Sequence, residues 1–133
     1  MEKSGNFKGE VNTLRLLLWS LSMYLKFNKV EDKLIVNLMG ELDHHSAEEV
    51  RVKIDDRIDR DNIKKVILDF GGVTFMDSSG IGVVIGRHKK MKNRDGRLCI
   101  VEINKSVNKV FEISGMYKLI NVYRNVDEAI INI

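Results

Sequence analysis

The chain contains one cysteine and no proline, and both scarcities limit what kind of protein it can be. A single thiol, that of Cys99, excludes any disulfide within the chain, which is typical of proteins that work in the reducing cytoplasm. The neighbours of Cys99 are apolar, so we expect its side chain to lie in the core. With 133 residues, 44% of them hydrophobic, and no low-complexity linker, the chain is predicted to fold as one domain.

Charge of one sign and long hydrophobic runs are also missing. The net charge is +3, with basic and acidic residues intermixed, so the composition does not indicate direct binding to nucleic acid. The apolar run at residues 14–21 is too short to cross a bilayer, whose hydrocarbon core is about 30 Å thick. No small-residue cleavage site follows this run before Lys26, which argues against a signal peptide. We therefore expect neither export nor a membrane partner.

Residues 1–22 differ in character from the rest of the chain. They hold basic residues followed by a leucine-rich run, whereas regular periodicity begins only after Met23. We expect Met23 to be the natural start, with residues 1–22 derived from a start assigned too early or from an artificial addition. The domain is therefore predicted to span residues 23–133, and removing residues 1–22 is predicted to change neither the melting temperature nor partner affinity.

The apolar pattern predicts an α/β domain in the order β-β-α-β-α-β-α-β-α. Residues 24–30 and 34–39 read as strands across a short turn, which favours an antiparallel hairpin. Residues 65–70 form a near-continuous apolar run, typical of a central strand covered on both faces. Residues 97–103 and 119–123 are predicted to be the last two strands, the second at an edge. The expected fold is a mostly parallel sheet with an antiparallel N-terminal hairpin and about four helices.

Serine and asparagine are predicted to begin three of the helices. Ser46 and Glu49 match a capping box, in which each side chain would bind the other's backbone N–H. Residues 40–45, directly before this box, are predicted to form a loop. Ser106 and Asn125 are expected to cap the two later helices by the same chemistry.

The most informative segment is Asp-Ser-Ser-Gly-Ile-Gly at residues 77–82, which follows the apolar strand and opens a helix. The predicted inner face of this helix is Ile81, Val84, Ile85, His88 and Met91. A hydroxyl at a helix start can cap the helix, act as a nucleophile, bind phosphate or be phosphorylated. From spacing alone these alternatives stay open.

Three glycines and a basic stretch mark the same helix. Gly80, Gly82 and Gly86 each lower helix propensity by about 1 kcal/mol relative to alanine, which indicates close packing or a binding face. The basic stretch at residues 87–94 is predicted to be a solvated face, with a partner surface as the alternative.

Motifs for nucleotide binding and catalysis fit this segment poorly. The third glycine of a dinucleotide fingerprint is absent, and no Walker lysine follows. A serine hydrolase elbow would need glycine where Asp77 stands, but His44 and His45 could approach the serines, so a small serine-dependent hydrolase stays an alternative. Adjacent histidines in an extended loop point to opposite sides, so no metal site is expected.

Phosphorylation suits the position better. A phosphoserine adds a charge of roughly −1.5 to −2, which free N–H groups and the dipole at a helix start can accommodate. At a partner interface, beside Asp77, the same charge is costly. The segment therefore predicts a switch that changes binding and leaves the fold unaltered.

Residues 40–48, Gly-Glu-Leu-Asp-His-His-Ser-Ala-Glu, and residues 75–82, Phe-Met-Asp-Ser-Ser-Gly-Ile-Gly, carry a resemblance to a known family. Residues 87–89 and 110–116, with Lys118, match as well. From about Met23 onward the chain closely resembles the STAS-domain anti-sigma factor antagonists. The Glu-Leu-Asp-His-His segment favours the sporulation branch, and the general-stress branch of the same family is the alternative.

The resemblance implies a cytoplasmic regulatory module that is not an enzyme and needs no cofactor. Unphosphorylated, it would bind the anti-sigma factor, a serine kinase that itself holds ATP, and so free the sigma factor. Phosphorylation, which the resemblance assigns to Ser78, would end this binding, and a serine phosphatase would reverse it. The partner-binding residues expected from the resemblance and the motif are Glu41, Asp43, Asp77, Ser79, Gly80 and Ile81.

Overall fold

The computed structural model describes residues 23–133, and the prediction made for residues 1–22 lies outside the described residues. Within residues 23–133 the strands are β1 (Met23–Val30), β2 (Lys33–Leu42), β3 (Lys65–Met76), β4 (Arg97–Val101) and β5 (Asn121–Tyr123). The helices of the same range are α1 (Ala47–Arg60), α2 (Ser78–Lys92), α3 (Lys105–Ser114), α4 (Met116–Leu119) and α5 (Val126–Asn132). None of these helices is long and apolar enough to cross a membrane.

The described strands lie side by side in chain order, β1-β2-β3-β4-β5. β1 and β2 are antiparallel, whereas each later strand is parallel to its predecessor. β3 is central, as its apolar run predicts. The α/β fold with an antiparallel N-terminal hairpin is therefore confirmed, with one helix more than expected because residues 116–119 form the short helix α4 before β5 begins.

Alternate residues of β3 enter two different clusters, which shows that both faces of the sheet are covered. Val66 and Leu68 belong to the larger core, together with buried side chains of α1, α2, α3 and α4. Ile67 belongs to a smaller cluster with Cys99 and with Ala129 of α5. Burial raises the pKa of the Cys99 thiol to about 12, so the predicted core cysteine is an unreactive thiol.

Two strands run further than their apolar patterns predict. β2 continues to Leu42, so the first half of the expected loop at residues 40–45 is strand, and β3 continues to Met76. Two register shifts interrupt the β2–β3 pairing, and residues 71–72 of β3 are both glycine. Because of these irregularities, the periodicity of apolar residues does not reveal that the two strands continue. The same irregularities decide where the ends of β2 and β3 meet.

The capping box predicted at Ser46 is wrong. The Ser46 hydroxyl donates to the carbonyl oxygen of Glu41 at 2.8 Å, and the Glu49 carboxylate lies 3.6 Å from the ammonium of Lys53. Ser46 therefore holds the chain segment before α1 in place, and its side chain does not cap the helix.

Asn104, and not Ser106, is the N-cap of α3. Its side-chain oxygen accepts from the N–H of Val107 at 3.3 Å, and its amide nitrogen donates to the carbonyl oxygen of Val73 at 3.0 Å. The same nitrogen lies 3.4 Å from the carbonyl oxygens of two further β3 residues. One side chain thus caps a helix and supports the irregular part of β3. Asn125 caps α5, as predicted, by accepting from the N–H of Glu128 at 2.9 Å.

The inner face of α2 is rotated from the predicted one. Its buried residues are Gly80, Val83, Val84, Arg87 and Met91. Ile81, Ile85 and His88, three members of the predicted stripe, are only half-buried. Arg87 is predicted on a solvated face, but it is 7% exposed, and its Nε lies 2.8 Å from Oδ1 of Asp55 in α1.

Candidate functional site

The two segments that carried the resemblance meet at one end of the sheet. Leu42 and Met76, the last residues of β2 and β3, are partners in the parallel ladder. The chain leaves β2 through residues 43–46, here called the histidine loop, and leaves β3 through Asp77. The N–H of Asp77 donates to the carbonyl oxygen of Leu42 at 3.3 Å. The histidine loop and the start of α2 are therefore neighbours.

Asp77 is the N-cap of α2 and connects it to the histidine loop. Its Oδ1 accepts from the N–H of Ser79 at 2.8 Å, and its carbonyl oxygen accepts from the N–H groups of Gly80 and Ile81 at 3.0 and 3.4 Å. Its Oδ2 lies 3.7 Å from Nδ1 of His44. Burial raises the pKa of Asp77, but hydrogen bonds from backbone N–H groups, those of Ser79 and His44 first, outweigh burial and hold the pKa below its usual value.

Ser78 and Ser79 occupy different environments. Ser78 is the first residue of α2 and is exposed, whereas Ser79 is half-buried and follows it into the helix. Gly80 is buried, and a Cβ added there would lie 2.5 Å from Cγ of Met76 and 3.0 Å from Cγ of Leu42. Gly80 therefore allows α2 to start directly against the ends of two strands, and this places the Ser78 hydroxyl at the surface.

Gly82 and Gly86 have no comparable packing role. Apart from the chain neighbours and the backbone of α2, no described atom lies within 4 Å of a Cβ added at either position. The two residues are one turn apart, and Ser78 precedes Gly82 by one more turn, so the three share one side of α2. We call Gly82 and Gly86 the glycine strip. It leaves the surface beside Ser78 free of side chains.

An exposed aromatic ring borders this surface. Phe75 is 50% exposed, and it is the ladder partner of Glu41, which is also exposed. Sequence reasoning used Phe75 only as part of a motif and did not propose it as a site residue. The sequence does show an aromatic residue, Phe75, close to a polar turn. This signal becomes informative only when β3 is known to continue to Met76.

Asp43 is 9% exposed and uses its carboxylate within the histidine loop. Its Oδ1 accepts from the N–H groups of His45 and Ser46 at 2.9 and 3.2 Å. The Ser46 Oγ in turn accepts from the N–H of Asp43 at 3.1 Å. Among the carboxylates predicted to contact a partner, Glu41 thus lies at the surface, and Asp43 shapes the loop.

The prediction that His44 and His45 point to opposite sides is wrong. Their ring centroids are 3.9 Å apart, because residues 43–46 form a turn and not an extended segment. The His44 side chain is 70% exposed. Within residues 23–133 no group of three or more histidine, cysteine, aspartate or glutamate side chains could hold a metal ion.

Ion pairs join α2 to α1 away from Ser78. Besides the pair of Arg87 and Asp55, Asp59 of α1 lies 3.0 Å from the ammonium of Lys90 and 2.7 Å from the guanidinium of Arg94. The hydrogen bond from Lys90, with the nearby positive charges, holds the pKa of Asp59 below its usual value despite some burial. Much of the basic stretch at residues 87–94 therefore pairs within the protein.

The fold and site place this chain among known proteins. Residues 24–129 match the STAS domain, and the chain belongs to the STAS domain family. Within that family it is similar to the anti-sigma F factor antagonist of Paenibacillus polymyxa, at 38% identity over 92 residues, which are 69% of this chain and 79% of the relative. It is also similar to the anti-sigma-B factor antagonist of Bacillus subtilis, at 29% identity over 92 residues, covering 69% of this chain and 83% of the relative.

Solved structures agree with this placement. The unphosphorylated form of the anti-sigma factor antagonist SpoIIAA matches with a TM-score of 0.71 and 33% identity, covering 80% of this chain and 93% of the other. The phosphorylated form of the Bacillus cell fate determinant SpoIIAA matches with a TM-score of 0.64 and 31% identity, covering 80% and 96%. These relatives are antagonists and not enzymes, so the predicted fold family and the predicted non-enzymatic class are both confirmed.

Proposed function

We propose that this chain is an anti-sigma factor antagonist of the sporulation type, switched by phosphorylation of Ser78. With Ser78 unmodified, it binds an anti-sigma factor kinase and so frees the sigma factor. The kinase holds the ATP, and this chain supplies the hydroxyl that accepts the phosphate. A serine phosphatase then restores the binding form. The observation that carries the proposal is the exposure of Ser78 at the first position of α2, beside an open surface.

The surface around Ser78 has the properties of a docking site. The glycine strip lets another protein approach the backbone of α2 closely, and the half-exposed ring of Phe75 offers apolar area at its border. Ile81, half-buried in the first turns of α2, adds to this area. A partner that covers these groups would also cover Ser78, so modification and binding would compete for the same place.

The proposed effect of phosphate is electrostatic. Asp77 is ionised at neutral pH because its pKa is held low, and its carboxylate lies next to Ser78 in the chain. A phosphate on Ser78 would concentrate about three negative charges at a surface that the partner must desolvate. We therefore expect phosphorylation to lower partner affinity and to leave the sheet unchanged.

Glu41 and Asp43 are assigned different parts in partner binding. Glu41 is exposed beside Phe75, so we propose that it contacts a basic residue of the kinase directly. Asp43 is hydrogen-bonded inside the histidine loop, so we propose that it acts by holding that loop in shape. Glu41→Lys should then weaken binding with an unchanged melting temperature, whereas Asp43→Asn should lower the melting temperature as well.

Phosphate transfer tests the proposal directly. The chain is incubated with an anti-sigma factor kinase and ATP, and its mass is measured before and after peptide mapping. We expect one added phosphate, on Ser78, none in Ser78→Ala, and unchanged transfer in the matched control Ser79→Ala. Ser78→Ala should bind the kinase and stay bound with ATP present, while Ser78→Asp should fold normally and bind poorly. Phosphate on Ser79 in the wild-type chain would overturn the assignment.

A general-stress antagonist is the second candidate, favoured by the similarity to the anti-sigma-B factor antagonist. The sporulation type is preferred because the similarity to the anti-sigma F factor antagonist is higher, 38% against 29% identity. Pull-down experiments with sporulation and general-stress kinases from the same genome distinguish the two. Selective capture of the general-stress kinase would reverse the preference.

A further inference from the structure

The N–H groups at the start of α2 were expected to accommodate a phosphate on Ser78. Three of these groups already have acceptors on Asp77. The N–H of Ser79 donates to the carboxylate, and those of Gly80 and Ile81 donate to the carbonyl oxygen. A phosphate on Ser78 would therefore lie beside an ionised carboxylate. Three of the N–H groups that could bind it at the helix start already donate to Asp77.

In the described elements around Ser78, few basic residues lie near the start of α2. In the histidine loop the carboxylate of Asp43 lies next to the two histidines, and Glu41 precedes them. The first turn of α1 contributes Glu48 and Glu49, and the basic side chains of α2 are concentrated in its last turn. Among the described residues of these three elements, the imidazoles nearest the start of α2 are thus those of the histidine loop, whereas His88 lies in the second half of α2 and burial lowers its pKa.

His44 is the better placed of the two imidazoles. Its Nδ1 lies 3.7 Å from the Asp77 carboxylate, and its backbone N–H is one of the hydrogen-bond donors that lower the pKa of Asp77. The side chain is 70% exposed, and its ring is tilted by 39° against that of His45. The Asp43 carboxylate, which accepts from the N–H of His45, and the Ser46 hydroxyl, which donates to the carbonyl oxygen of Glu41, hold the loop that carries it. The ring is therefore kept at the border of the Ser78 position.

We infer that His44 is the counter-charge of phosphorylated Ser78, and that its imidazolium binds the phosphate in the switched-off state. The inference rests on the proposed function, since it takes Ser78 as the modified residue. A phosphoserine loses its second proton near pH 6, as a rough reference value, and a cation beside it favours the dianion. A cationic His44 would thus influence how much negative charge the phosphate presents to a partner.

The test uses the full chain with phosphoserine encoded at position 78, so that no kinase is required. The pH titration of the phosphate is followed by phosphorus NMR in the wild-type background, in His44→Gln and in the matched control His45→Gln. A nearby cation favours the dianion, so His44→Gln should move the phosphate midpoint up by about 0.5 pH unit. His45→Gln should move it by clearly less, since the ring nitrogen that lies 3.7 Å from the Asp77 carboxylate belongs to His44.

Melting temperatures separate a charge effect from a structural one. In the chain without phosphate, His44→Gln should melt at the wild-type temperature, and it should melt lower than wild type only when phosphoserine is present. Equal phosphate midpoints in wild type and His44→Gln would overturn the inference, as would an equal shift in His45→Gln. These outcomes do not depend on the kinase, whereas failure of a kinase to modify Ser78 would overturn the proposed function and leave the NMR result standing.

Discussion

The two halves of α2 differ in what they contact. The first half, residues 78–86, holds Ser78 and three glycines, and the glycine strip faces open space. The second half holds Arg87 and Lys90, which pair with Asp55 and Asp59 of α1. Both halves bury residues in the core, but the second half is also tied to α1 by these ion pairs, whereas the first half leaves the glycine strip available to a partner. Substitutions at the ion pairs should therefore change stability, and substitutions in the glycine strip should change partner binding as well.

The largest expected effect lies in the second half of α2. Asp55→Ala leaves the buried guanidinium of Arg87 without its carboxylate, so we expect the free energy of unfolding to fall by about 3 kcal/mol. Denaturation by urea measures this change. The matched control is Asp56→Ala, which removes an exposed pair with Arg60 and should cost less than about 1 kcal/mol. Equal losses in the two variants would contradict the contrast between buried and exposed pairs.

A smaller loss of stability is expected at Gly80, which lies in the first half of α2 but is buried against the ends of β2 and β3. Alanine there forces a Cβ to within 2.5 Å of Met76, so the side chains of Met76 and Leu42 must shift. Gly80→Ala should lower the free energy of unfolding by about 1–2 kcal/mol despite the better helix propensity of alanine. Thermal unfolding followed by circular dichroism gives the result. A stabilised variant would mean that the ends of β2 and β3 adapt freely.

Alanine substitutions in the glycine strip should raise the stability of the protein, in contrast to Gly80→Ala. Gly82→Ala and Gly86→Ala add a methyl group in open space, so each should raise the free energy of unfolding by about 0.5–1 kcal/mol. If the strip is the docking surface, each should also weaken kinase binding about tenfold, which is about 1.4 kcal/mol. Calorimetric titration measures the affinity. Unchanged affinity in both variants would remove the strip from the interface.

The smallest expected effect is the pH dependence that Asp77 contributes. Its pKa in the folded chain lies below the unfolded value of about 3.9, so its contribution to stability is present above that pH and lost as the pH falls through the folded pKa. Wild type should therefore melt higher than Asp77→Asn above about pH 5, and the difference should shrink below about pH 4. A difference that stays constant down to pH 2 would show that Asp77 acts by shape and not by charge.

Local sequence patterns predicted the helices and strands, and long-range contacts decided where the strands end and which further contacts the caps make. The hairpin, the central strand and the Asn125 cap were predicted because each depends on residues a few positions apart. The Asn104 cap was missed although its bond to Val107 is equally local, whereas the bond from its amide to β3, about thirty residues earlier in the chain, depends on the tertiary structure. The extension of β2 and β3 was missed because the register shifts break the alternation that marks a strand.

The same division applies to the site. The sequence by itself determined that a serine stands at a helix start after a central strand, since capping residues and apolar runs are encoded locally. Phosphorylation of Ser78 and the partner contacts of Glu41 stay predictions. Only the tertiary structure decided that Gly80 packs while Gly82 does not, that Asp43 is used inside its loop, and that Arg87 is buried. The physical reason is that burial and pairing depend on which distant elements meet, and one helix or strand does not contain that information.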